Sequence, residues 1–158
     1  MAAIRPALTA SDWEAARALF RAYEREIDAA CCFEGFEAEL AAIDRRYAPP
    51  EGRLLLAFDD GEPAGCAGLR RLEDGAAEGR RLWVRPASRG RGLGGALVLA
   101  LLDEARLAGF RTFRLETLPG KMAVAAAMYR QLGFREIPPY VRRPVPGAIY
   151  MEVAFPAR

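Results

Sequence analysis

The stretch that most constrains the fold lies between Glu78 and Thr117, where a strand, a glycine-rich turn, a helix and a second strand follow in order. Glu78 to Val84 (EGRRLWV) reads as a strand, Gly92 to Ala108 is strongly helical, and Thr112 to Thr117 (TFRLET) alternates like a strand. Two strands joined through a helix form a βαβ unit, and its strands must lie parallel with a right-handed crossover. A sheet built around such a pair needs helices to cover its faces.

The flanking segments complete the sheet with antiparallel strands. A short strand is expected around Ile4, and Ser11 with Glu14 three residues on reads as a capping box opening a helix. Trp13, Ala16, Leu19, Phe20 and Tyr23 give that helix one apolar face. Phe36 to Tyr47 repeats the pattern through Leu40 and Ile43, and Pro49-Pro50 ends it because a residue before proline is pushed out of helical space. Arg53 to Phe58 and Ala64 to Arg70 form a hairpin turned by Asp60-Gly61, and a polar loop, Glu73 to Ala77, follows. A last helix, Lys121 to Leu132, stops at Gly133, and Ala148 to Phe155 is a final strand. The predicted fold is α/β: a mixed, mostly antiparallel twisted sheet with a central parallel βαβ unit and helices on both faces. Its 158 residues suit one domain over 1–158, large enough for a core without disulfides or a structural metal.

Composition removes several classes of function. A net charge of +2, with arginines mixed among acids, gives no nucleic-acid footprint. No apolar run reaches membrane-spanning length, and the first residues carry no secretory pattern, so a cytoplasmic protein is expected. The three cysteines, Cys31, Cys32 and Cys66, have no histidine beside them anywhere in the chain, so no metal site is expected and nucleophile–histidine catalysis is excluded. Cys66 lies mid-strand and reads as a buried apolar cysteine. Acid–base work falls to Glu, Asp, Tyr, Lys or Cys.

The sharpest local signal is Arg89-Gly90-Arg91-Gly92-Leu93-Gly94-Gly95 at the start of the βαβ helix. Glycines let the backbone approach a ligand closely, the first helical N–H groups lack intrahelical partners, and the helix dipole adds positive character. A diphosphate fits that cradle, with Arg85, Arg89 and Arg91 able to fork onto its oxygens. Two cofactors carry such a group. Gly90, Gly92 and Gly95 also spell the dinucleotide GxGxxG pattern, with Glu116 near the place of a ribose-binding acid. Against that reading, Arg85 to Arg89 intervenes between strand and glycines, and two helices and a hairpin precede the unit. A glycine-rich helix start without a ligand is the third reading.

The segment RLWVRPASRGRGLGGALV resembles motif A of the GNAT acetyltransferases, with Arg89, Gly92 and Gly94 at its defining positions. AAAMYRQLGFREI, Ala125 to Ile137, is similar to the family's last helix and following strand, with Tyr129 four residues ahead of Gly133-Phe134. The resemblance implies acetyl-CoA as co-substrate, its pyrophosphate held by Arg89, Gly90, Arg91, Gly92, Leu93, Gly94 and Gly95. It also implies that the backbone of Leu82, Trp83 and Val84 pairs with the pantetheine arm and stabilises the oxyanion. Ala125, on one helical face with Met122 and Tyr129, would border the cofactor; many relatives carry asparagine where this chain has Met122, a contact methionine cannot reproduce.

An acceptor amine is mostly protonated at neutral pH and must lose a proton before it attacks a thioester. Some GNAT enzymes use a glutamate six residues before the valine that ends the central strand, and Glu78 stands six before Val84. The bland alternative for Glu78 is a solvated residue at a strand start. Tyr129 fits the acid that protonates the leaving thiolate, with a packing aromatic as its alternative. The acceptor pocket is expected from Ile27 to Phe36, with Asp28, Phe33 and Glu34, and from Pro138 to Pro146, with Tyr140, Arg142 and Arg143. The function so implied is direct acetyl transfer to a primary amine of a small molecule or peptide; the alternatives are a silent acyl-CoA-binding regulatory module and a nicotinamide oxidoreductase. Dimers are common in the family, and a homodimer is compatible with it.

Overall fold

The computed structural model of the protein describes residues 2–27, 35–120 and 122–156. In chain order the elements are β1 (Ala2–Pro6), α1 (Ala10–Ile27), α2 (Phe36–Ala41), α3 (Ile43–Arg46), β2 (Gly52–Asp59), β3 (Glu62–Arg71), β4 (Ala77–Val84), α4 (Leu93–Leu107), β5 (Thr112–Thr117), α5 (Ala123–Gln131), β6 (Arg135–Ile137) and β7 (Ile149–Ala154). The seven strands form one sheet in the order β1-β2-β3-β4-β5-β7-β6. Among the described strands only β4 and β5 run parallel, as the βαβ reading requires.

Period-two alternation in the central strands sends side chains to two cores. On β2, Leu55 and Ala57 face a core with Leu97, Leu101, Phe113, Tyr129 and Phe134 under α4 and α5. Leu54 and Leu56 face a second core with Ala16, Phe20, Leu40, Ile43 and Tyr47 under α1 to α3. The strand is thus buried on both sides. Cys66 joins the second core fully buried, its thiol donates to the Arg81 carbonyl at 3.2 Å, and burial pushes that thiol up to about 12.

Two local expectations are corrected. The capping box at α1 is Thr9 with Asp12: the Asp12 N–H donates to Thr9 Oγ1 at 3.1 Å and the Thr9 N–H to Asp12 Oδ2 at 3.0 Å. Asp12 also accepts from the Leu8 N–H and from both terminal nitrogens of Arg5, at 2.8 and 2.9 Å, which wins the cap from Ser11 and Glu14. The expected helix from Phe36 to Tyr47 is two short ones, broken at Ala42, whose φ of −111° and ψ of 19° leave helical space. The break re-aims the last turn so that Tyr47 packs over Gly68 and donates to Glu39 at 2.7 Å.

Within β4, Gly79 is a required gap. The Phe113 ring lies over it, and a Cβ there would meet the ring at 2.7 Å. Two residues further on, Arg81 adopts a left-handed φ of 57°, and β4 places one more residue than β3 between the pairs Gly68↔Arg80 and Cys66↔Trp83. This bulge sends both Arg80 and Arg81 toward Glu39. No described helix is long and apolar enough to cross a membrane.

Candidate active site

The ladder between β4 and β5 consists of Ala77↔Phe113 and Glu78↔Arg114, after which the strands part. From Gly79 onward the β4 peptide groups on that side have no strand partner, and Leu82, Trp83 and Val84 lie along this edge. The gap opens through the sheet. On the α4 and α5 side it forms a mainly apolar cleft lined by Leu82, Leu101, Phe113, Ala125 and Tyr129. On the opposite side it widens into a polar cleft lined by Arg70, Glu78, Arg80, Arg81 and Glu116. Tyr23, Gly79, Arg80, Arg81, Glu116, Thr117 and Met122 line both.

The glycine loop lies past the end of β4, after a 3-10 turn over Pro86–Ser88. Gly90 and Gly92 take φ of 83° and 80°, and a Cβ at either would meet nothing within 4 Å, so the loop presents bare backbone to open space. Gly92 caps α4 without a side-chain hydrogen bond, which leaves the N–H groups of Leu93, Gly94 and Gly95 without intrahelical partners. Arg89 donates from Nε to the Val84 carbonyl at 2.8 Å, while its terminal nitrogen pairs with Glu26, which also accepts from Trp83 Nε1 at 3.1 Å. Arg89, against burial and with help from Trp83, holds the Glu26 carboxyl below its usual range. Arg91 pairs with Asp59, and Arg85 donates to the Pro63 carbonyl. Arg89 and Arg91 are thus paired to carboxylates beside a loop with room for an anion, so the donor set fits a diphosphate that would compete for those guanidinium groups.

Glu78 is buried rather than solvated. Its Oε1 accepts from Arg70 at 2.9 Å and Arg80 at 3.2 Å, and its Oε2 accepts from Tyr140 at 2.8 Å. Burial and the Glu78 charge push the Tyr140 phenol well above its usual range, so it remains a donor at neutral pH. Tyr129 lines the apolar cleft from α5, with its ring tilted on Phe134 at 5.5 Å. Burial raises its phenol well above the usual value, so the hydroxyl stays protonated.

Of the expected acceptor segments, Asp28, Phe33 and Glu34, with Cys31 and Cys32, lie outside the described residues, as does Lys121. Tyr140 reaches Glu78, whereas Arg142 and Arg143 are exposed. Several lining residues were not expected at a site. Tyr23 stacks on Trp83 at 6.3 Å and donates to Met122 Sδ at 3.6 Å. Arg70, Arg80 and Arg81 come from hairpin and bulge. Glu116, weighed only as a ribose-binding acid, accepts from Tyr150 at 2.6 Å, and Thr117 Oγ1 is buried without a hydrogen-bond partner. Alternation along β5 could have flagged Glu116, since Leu115 faces the core and its neighbours face away. Tyr23 gave no such signal, because its place on the apolar face of α1 reads as ordinary packing. Among the described residues no cluster of potential metal ligands occurs.

A sheet parted beside a glycine loop, with a through-going cleft, defines an acyltransferase of the GNAT type, and sequence comparison agrees. The acetyltransferase (GNAT) family model matches residues 13–134, and the chain belongs to that family. It is 34% identical over 137 residues to an uncharacterized N-acetyltransferase of Schizosaccharomyces pombe, covering 85% of this chain and 83% of the relative. It is 36% identical over 107 residues to an IAA acetyltransferase of Azospirillum brasilense, covering 66% and 69%. The fold matches a PaiA N-acetyltransferase of Thermoplasma acidophilum solved with coenzyme A, at a TM-score of 0.77 and 20% identity over 98% of this chain and 99% of the other. GNAT acetyltransferases use acetyl-CoA, and the family membership overturns the dinucleotide reading of the glycine loop.

Proposed function

We propose that the chain acts as one cytoplasmic acetyltransferase domain that moves an acetyl group from acetyl-CoA to a primary amine of a small molecule or peptide. The observation that carries this reading is the parting of β4 from β5 beyond Glu78, with the glycine loop beyond the end of β4 and a polar cleft on the opposite face of the sheet. When bound, acetyl-CoA supplies a thioester: the amine nitrogen bonds to the acyl carbon as the C–S bond breaks, the amine releases a proton and the thiolate takes one up. Gly90 to Gly95 and the Arg89 and Arg91 side chains hold the diphosphate. The free peptide edge at Leu82 to Val84 orients the arm and donates to the acyl oxygen, and Ala125 leaves room beside it. Glu78 receives the amine proton, through a water because Tyr140 shares its Oε2, and the Tyr129 hydroxyl donates toward the sulfur. No observation favours a silent binding module.

The test is thermal unfolding with acetyl-CoA, followed by acetyl-CoA-dependent thiol release over a panel of amines. At a hundredfold excess over Kd, a single site should raise Tm by roughly 5–10 °C for a chain of this size. Gly92→Glu should remove the shift while the protein still folds, since the space around Gly92 is open and the left-handed φ costs only about 1–2 kcal/mol. An unchanged shift in that variant would refute the loop assignment.

A further inference from the structure

On the face of the sheet opposite α4, the polar cleft separates two kinds of binding group. On one side Arg70, half-exposed on β3, uses its Nε for Glu78, and neither of its terminal nitrogens makes a hydrogen bond among the described residues. On the other side Glu116, on β5, accepts from Tyr150 through Oε2, and its Oε1 has no donor among the described residues. Arg70 and Glu116 lie two strand spacings apart, roughly 10 Å between backbones and more where the strands part. Both residues line the polar cleft, a span that suits a molecule a few bonds long.

From this juxtaposition we propose that the acceptor is a small amino carboxylate, its amine held at Glu116 and its carboxylate on the free edge of Arg70. The proposal rests on the acetyltransferase reading above and names its substrate class. Arg70, Arg80 and Arg81 line the polar cleft with Glu78 and Glu116; Arg80 and Arg81 are held by Glu39, so the donor edge offered to a ligand is that of Arg70. A diamine or polyamine would drive its second cation toward that arginine side. A peptide N-terminus brings a neutral amide where Arg70 offers a paired donor edge. An amino carboxylate sets unlike charges together at both ends, and a guanidinium edge matches a carboxylate in two parallel hydrogen bonds.

The experiment compares each of the protein amino acids and a series of ω-amino acids with their own carboxamides, as acceptors for acetyl-CoA-dependent thiol release. Free acids should exceed their amides by at least about tenfold in kcat/KM, the size of one charge-assisted contact at a part-exposed site. Arg70→Gln should bring that ratio toward one by raising KM for the acids, and Arg70→Lys should restore part of it. Because the ratio in the unaltered protein needs no variant, a folding defect in Arg70→Gln leaves the test intact. Equal use of acids and amides overturns the proposal, and so does turnover confined to diamines or peptides. Failure of every amino carboxylate while calorimetry records acetyl-CoA binding overturns it equally. Absence of acetyl-CoA binding in the unaltered protein strikes the transferase reading itself.

Discussion

Removing one oxygen atom from Tyr129 separates chemistry from packing. Its ring is fixed against Phe134, and its hydroxyl makes no hydrogen bond among the described residues. Tyr129→Phe should therefore change stability by less than about 0.5 kcal/mol, the usual range for a substitution that breaks no contact. Turnover should fall by tenfold or more, because a positioned acid contributes about a hundredfold. Chemical denaturation and thiol release on the same variant check both, and undiminished turnover removes Tyr129 from the mechanism. Glu78→Gln should lower turnover by about a hundredfold near neutral pH with little change in acetyl-CoA affinity by calorimetry. The amide still accepts a hydrogen bond, so the loss reads the missing negative charge. At this scale motif spacing singled out Tyr129 and Glu78, and both line a cleft in the structure. Glu116 was weighed only as a ribose-binding acid in a reading the sequence argued against, and Arg70 as the end of a strand. That Arg70 and Glu116 line one cleft comes from strands far apart in sequence, which no local pattern encodes.

The start of α1 illustrates how elements compete for ends. Serine and glutamate three apart is a sound signature, but Thr9 and Asp12 form the same motif two residues earlier. Arg5, on β1, decides between them by adding two hydrogen bonds to Asp12, a contact absent from any local window. Arg5, against some desolvation, and the Thr9 and Leu8 N–H groups hold the Asp12 carboxyl far below its usual range. Thr9→Ala should lower the unfolding free energy by about 1 kcal/mol, and Ser11→Ala by less than about 0.5 kcal/mol. Urea denaturation of the pair measures the difference, and equal losses would return the cap to Ser11. Other element ends were read closely: β5 spans Thr112–Thr117 as alternation required, and α4 falls within one residue of its expected bounds. The α2–α3 break escaped the sequence because Leu40, Ile43 and Tyr47 keep helical spacing across it. Buried Glu39, not periodicity, sets the turn there.

Across the whole molecule, Glu39 ties the helical layer to the bulged strand. It accepts from Arg81 at 2.7 and 2.9 Å and from Tyr47 at 2.7 Å, with Arg80 at 3.5 Å. Burial opposes its charge, but Arg81, Arg80 and Tyr47 outweigh that and hold its carboxyl at about 2. An unfolded glutamate titrates near 4.3, so the folded state binds fewer protons between those values. The contribution is fully present above about pH 4.3 and declines as pH falls toward 2. Glu39→Gln should cost about 3–5 kcal/mol at pH 7, because it strands the Arg81 charge, and should flatten the acid limb of stability against pH. Urea midpoints from pH 7 to pH 3 follow this, and parallel acid limbs in both proteins would assign the loss elsewhere. The parted strands carry a consequence of another kind. Two residue pairs stitch the first four strands to the last three, against six between β5 and β7. Mechanically the sheet is two panels on a short seam spanned by the α4 crossover, and a molecule that bonds to both lips of the opening is a splint across its weakest line.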